Sequence, residues 1–224
     1  MKYRIEPGFQ SILEVILDKG ERIYAEPSSM IFHSPSVRLN TKVKGVSSAI
    51  RRMIMGKESM FLNEFYSEEG EGYIGFSPSY PGTILDIEKD ESSQIKLLPG
   101  SFLAAYGEDI EITGNVGDIS TYFAFDEASF LTLKGVGIFF ISGLGLIKQI
   151  NVSGEFIVDT GHVLAYDSHL SLSVGPEGGV KSFLFSKEGV VCKFKGEGRV
   201  WIQSINPDRF FQFLSGQIRN KKVR

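Results

Sequence analysis

Apolar and polar positions alternate along much of the chain. Ile110-Glu111-Ile112-Thr113 and Leu170-Ser171-Leu172-Ser173 each put apolar side chains on one side and polar ones on the other, the two-residue period of a half-buried strand. Turn-forming groups punctuate these runs: Pro81-Gly82, Pro99-Gly100, Gly107-Glu108-Asp109 and Gly178-Gly179. Short strands at regular spacing between such signals predict an all-β sandwich or barrel. Two segments depart from the pattern. The stretch from Ser47 to Met55, with Ala49, Ile50, Arg51, Arg52, Met53, Ile54 and Met55, does not alternate and reads as a short helix or a mobile loop. Asn206-Pro207-Asp208 predicts a helix start, because Asn caps, Pro suits the first turn and Asp favours the positive end of the helix dipole. Phe210, Phe211, Phe213 and Leu214 give that helix an apolar side, and Gly216 is expected to end it. A basic tail with Arg219, Lys221, Lys222 and Arg224 follows.

The chain also repeats itself. Gly70-Glu71-Gly72-Tyr73-Ile74-Gly75-Phe76-Ser77, Gly135-Val136-Gly137-Ile138-Phe139-Phe140-Ile141-Ser142 and Gly196-Glu197-Gly198-Arg199-Val200-Trp201-Ile202-Gln203 align, starting 65 and 61 residues apart. Upstream of each, Glu58, Glu127 and Glu188 precede a short apolar run. A second block recurs as Gly20-Glu21-Arg22-Ile23 and Gly154-Glu155-Phe156-Ile157, followed by Met30-Ile31-Phe32 and Leu164-Ala165-Tyr166. Leu103-Ala104-Ala105-Tyr106 is the middle counterpart of the latter pair. The expected organisation is one triplicated β domain over 1–205, with units of roughly 1–80, 81–143 and 144–205, then a C-terminal helix and basic tail over 206–224. The order of the blocks suggests a cyclic arrangement whose ends meet.

Composition agrees with strands: 18 Phe favour them and 25 Gly supply turns and bulges. A net charge of −3 lacks the basic excess of most nucleic-acid binders, so nucleic acid is a disfavoured partner. The single cysteine, Cys192, excludes an internal disulfide framework and reads as a small buried apolar side chain. Met1 to Glu14 lacks an apolar core of the signal-peptide kind. The most apolar stretch, Val136 to Ile147, is too short and glycine-rich to span a bilayer. The expected location is cytoplasmic.

Four features, in order, resemble the altered-inheritance-of-mitochondria family. They are Arg51-Arg52 followed by Gly56-Lys57-Glu58 and Phe61; Pro81-Gly82-Thr83-Ile84; Gly100-Ser101-Phe102-Leu103-Ala104; and Gly196 through Ser204. The match runs from about Gly20 to Phe210. Where the family tends to have a glycine-rich run before the paired basic residues, this chain has Val46-Ser47-Ser48-Ala49. The resemblance implies a double-stranded β-helix fold, a prism with pseudo-threefold symmetry similar to the tryptophan RNA-binding attenuation protein class. It also implies homo-oligomers.

Candidate chemistry is sparse. A glycine loop for a nucleotide needs a helix behind it, whereas Gly72, Gly137 and Gly198 precede strand-like residues and read as repeated bulges or corners. Metal sites of this fold class need two or three histidines with a carboxylate; His33, His162 and His169 form no H-x-H pair. No nucleophile elbow is present, and Asp159, His162 and Asp167 read as strand, turn and strand. Glu58, Glu127 and Glu188 recur threefold, which favours a structural role. No catalytic, cofactor-binding or metal-binding residue is expected, and no cofactor. Arg51, Arg52, Met53, Ile54 and Lys57 form a candidate interaction segment for a partner or, more weakly, an anionic membrane surface. The expectation is a non-enzymatic, homo-oligomeric scaffold or interaction module, with a small-ligand binding module as the alternative.

Overall fold

The computed structural model describes residues 1–40, 62–113, 130–176 and 190–221. They form fifteen strands and a helix: β1 (Lys2–Glu6), β2 (Ile12–Leu17), β3 (Arg22–Ala25), β4 (Met30–His33), β5 (Val37–Asn40), β6 (Asn63–Ser67), β7 (Gly72–Phe76), β8 (Gly82–Lys89), β9 (Ile95–Leu97), β10 (Phe102–Thr113), β11 (Leu131–Leu144), β12 (Ile147–Asp159), β13 (Val163–Asp167), β14 (Ser171–Pro176), β15 (Val190–Gln203) and α1 (Pro207–Lys221). The protein is all-β, as its alternation predicts, with one C-terminal helix.

Every ladder between the described strands is antiparallel. One sheet runs β1-β2-β7-β4. The other runs β12-β15-β13-β9-β11-β10-β3-β6-β5, with β14 also on β15 and β8 on β11. β2 shows how the pattern fixes register. Leu13, Val15 and Leu17 point inward while Ile12, Glu14 and Ile16 are half-buried. Full burial of each such side chain stabilises by about 1.5–3 kcal/mol, so a one-residue slip that turned Glu14 inward would forfeit all three.

The interior is three apolar clusters in series. Leu13, Val15, Ile23, Ile74 and Phe76 pack with Leu103, Ala104 and Phe140 from the following strands. Ile87, Ile95, Leu97 and Phe139 pack with Leu164, Ala165 and Trp201, again from further along the chain. Val158, Val163, Tyr166, Phe194 and Val200 form the third.

The second and third G-x-G segments lie within β11 and β15, while the first leads into β7, which begins at Gly72. The strand opposite each one carries the same irregularity. Register shifts fall between Met30 and Phe32, between Phe102 and Ala104, and between Val163 and Ala165.

Two expectations differ from the structure. Gly107-Glu108-Asp109 is not a turn; it is a bulge inside β10, where the ladder jumps from Glu108–Val136 to Glu111–Lys134. Asp109 there has φ +52, and Gly107 faces Gly137 so closely that a Cβ on either would run into the opposite carbonyl oxygen. The paired glycines let a long ribbon bend without ending it. The helix starts as predicted, with Asn206 Oδ1 accepting from Asp208 N and Arg209 N at 3.0 and 3.2 Å. It does not stop at Gly216 but continues to Lys221. Gly216 is not in the left-handed conformation that terminates helices. Its predicted apolar side exists yet is not buried, since Phe211, Phe213 and Leu214 are all exposed.

Candidate interaction surface

Two junctions within the longer sheet join strands that lie far apart in the chain. At the first, β10 pairs with β3, Ala104 opposite Ala25 and Ala105 opposite Tyr24. Glu26 N donates to Leu103 O at 2.9 Å, and Tyr106 OH donates to Glu21 Oε1 at 2.6 Å. At the second, β13 pairs with β9, Ala165 opposite Leu97 and Tyr166 opposite Lys96. Leu98 N donates to Leu164 O at 2.8 Å, the same bond in the same place.

The residue inside each register shift is the telling one. Leu103 and Leu164 are 0% exposed, sealed by these junctions, whereas Ile31 in the corresponding place on β4 is 48% exposed. Among the described residues β4 is an edge, paired only with β7, and β12 is an edge, paired only with β15. No ladder joins β4 to β12 among the described residues. Ile157 on β12 is 39% exposed. Large and small residues are also exchanged at these places. Ala104 faces Phe140 and Ala165 faces Trp201, but Phe32 faces Gly75. The Phe32 ring occupies the space where a Cβ of Gly75 would sit.

The electrostatics are local. Burial raises the Glu26 carboxyl, beside the first junction, to about 7. Burial would also raise Glu21, but hydrogen bonds from the Met1 ammonium, the Tyr106 hydroxyl and the Asp18 N–H overcome it and hold the carboxyl at about 2. Buried Lys89 donates to Gly135 O at 2.7 Å and Asp90 O at 3.0 Å, and desolvation lowers its pKa.

A cavity of about 260 Å³ opens where α1 leaves the sheets, lined mainly by Tyr80, Leu98, Pro99, Leu144, Pro207 and Phe211. Tyr80 OH is bonded at its rim to Ser142 O at 3.0 Å. Gln203, buried at its base, accepts from Leu144 N at 2.9 Å.

Arg51, Arg52, Met53, Ile54 and Lys57 lie outside the described residues, as do Glu58, Glu127 and Glu188. Each histidine is bonded to a backbone carbonyl: His33 to Ser34, His162 to Gln203 and His169 to Glu197. Asp159 and Asp167 do not converge. Asp159 Oδ1 caps the turn at Thr160–His162, while Asp167 binds Arg199. Cys192 is buried, and burial pushes its thiol up to about 12. No group of three His, Cys, Asp or Glu side chains gathers as a metal-ligand set among the described residues. Nor is any helix there long and apolar enough to cross a membrane.

Fold and surface together define an all-β protein of long antiparallel ribbons, with the outer edges of β4 and β12 unpaired among the described residues. The chain belongs to the family described as mitochondrial biogenesis AIM24, whose model matches residues 3–205. It is similar to an uncharacterised protein of Streptococcus pyogenes serotype M6, 32% identical over 223 residues that cover 94% of this chain and 88% of the relative. A crystal structure of a Streptococcus pyogenes protein superposes with a TM-score of 0.74 at 30% identity, covering 96% of this chain and 99% of the other.

Proposed function

We propose that the protein is a non-enzymatic interaction module that assembles from copies of itself. The observation that carries this reading is the mismatch between sealed Leu103 and Leu164 and exposed Ile31, on a strand whose outer edge nothing in the described chain pairs. An edge of this kind is a template for another strand and calls for a cover. The reading takes the chain as one triplicated β domain with units of roughly 1–80, 81–143 and 144–205, supported by the three matching register shifts. The double-stranded β-helix of the tryptophan RNA-binding attenuation protein class is the fold we assign to that triplication. A cytoplasmic location accords with a lone buried thiol. Native mass spectrometry tests the assembly: a defined multimer is expected at micromolar concentration, and a monomer would overturn it.

The cavity at the base of α1 favours a second reading, a small-ligand binding module, because its lining is largely apolar with the Tyr80 hydroxyl at one side. A stoichiometric extra mass on each subunit in the same spectrum is the result expected of that reading.

A further inference from the structure

We propose that β4 of one copy pairs with the C-terminal half of β12 of a second copy, with Phe32 opposite Val158 and His33 opposite Ile157. This rests on the self-assembly reading above and names its interface.

The register follows from the two junctions already inside the chain. Ala104 and Ala165 lie just past the register shifts that begin at Phe102 and Val163, and each also pairs with a strand from earlier in the chain, Ala104 with Ala25 and Ala165 with Leu97. Phe32 lies just past the shift that begins at Met30 and has no such partner among the described residues. On the other side of each junction, Ala25 and Leu97 stand five residues before Met30 and Phe102, and Val158 stands five residues before Val163. Among the described residues Val158 pairs with Cys192 on β15 and with nothing on its other edge. Each internal junction therefore uses one strand of the β4 kind and one of the β12 kind, and one of each is left over.

The remaining details match. Glu26 N to Leu103 O and Leu98 N to Leu164 O predict Asp159 N to Ile31 O of the second copy. Ile31 and Ile157, the exposed apolar side chains, would both be covered. The first two apolar clusters are completed by residues from further along the chain. Ile31 and Phe32 of the second copy would complete the third in the same way. The two surfaces are different patches, so the contact is heterologous. It closes as a ring or continues as a filament.

Directly opposed antiparallel residues stand about 4.5–5.5 Å apart between Cα atoms, within the roughly 4.4–6.8 Å a disulfide spans. The test is the pair His33→Cys and Ile157→Cys, made singly and together, with folding checked by circular dichroism. Mild oxidation of the double variant is expected to give a ladder of covalent multimers on a non-reducing gel. A mixture of the two single variants should stop at covalent dimers, and each single variant alone should give none. Native mass spectrometry of the unmodified protein runs alongside. Multimers without the His33–Ile157 disulfide, or a disulfide in one single variant alone, would overturn this interface and leave self-assembly standing. A monomer would overturn both.

Discussion

Asp167 takes three hydrogen bonds from Arg199: from its backbone N–H at 2.8 Å, and from Nε and Nη2 at 2.9 Å each. The carboxylate is buried and the guanidinium, partly solvated, lies 4.8 Å from the centre of the Trp201 ring. Removing one partner of such a pair leaves the other uncompensated, which costs more than the pair is worth as a whole. Asp167→Ala is expected to destabilise by about 2–3 kcal/mol, less than a fully buried pair because Arg199 can reach water. The Tm should fall by roughly 4–12 °C. Asp167→Asn, which keeps an acceptor for the backbone N–H, should lose less.

Gly137 and Gly154 both have positive φ inside strands, +145° and +100°, yet their surroundings differ. A Cβ on Gly154 meets nothing within 4 Å, so Gly154→Ala should cost only backbone strain, about 1–2 kcal/mol. A Cβ on Gly137 would overlap the Tyr106 carbonyl oxygen and stand 2.7 Å from Gly107 Cα. Two backbones must part to admit it, and Gly137→Ala should cost more than about 3 kcal/mol or prevent folding. Denaturant midpoints of the two variants decide the comparison.

Burial holds the Glu26 carboxyl at about 7, well above an ordinary glutamate. Between the ordinary value and about 7 the folded state binds the proton more tightly than the unfolded state. Stability from this group therefore falls as pH rises through that window and stays low above it. Glu26→Gln lacks this dependence. Its Tm should match the parent near pH 4 and exceed it increasingly up to pH 8. A difference independent of pH would contradict the account.

Asn206 caps α1, but the apolar side of the helix is exposed. Asn206→Ala should cost the helix about 1 kcal/mol. Because little of the core depends on α1, the loss should appear as faster amide exchange over the first turns, with the global Tm unchanged.

Much of the fold was legible in the alternation, because one buried face per strand forces a two-residue period, as Ile112 and Leu172 illustrate. The helix start was legible in Asn206-Pro207-Asp208, since capping is local chemistry. The bulge at Gly107 was not. A glycine followed by two acidic residues looks alike in a turn and in a bent ribbon, and only the facing Gly137 decides between them. The end of α1 was missed because Gly216 terminates a helix only if the chain turns left-handed there. Family membership was carried by the ordered motifs and is matched by the family model over residues 3–205. The Asp167–Arg199 pair was missed because it joins different strands; the signal was an acid closing one repeated block and a lone arginine within another. The exposure of Ile31 could not be read at all, since Met30-Ile31-Phe32 looks as apolar as its buried counterparts.

The interleaving of the three apolar clusters bears on synthesis. The first cluster needs Phe140, which leaves the ribosome well after Phe76. At about 5–20 residues per second that is a wait of roughly 3–13 s with apolar surface uncovered. The second cluster waits in turn for Trp201. The nascent chain thus grows always one ribbon short of a finished interior. A product cut before Trp201 would be the species most in need of a chaperone.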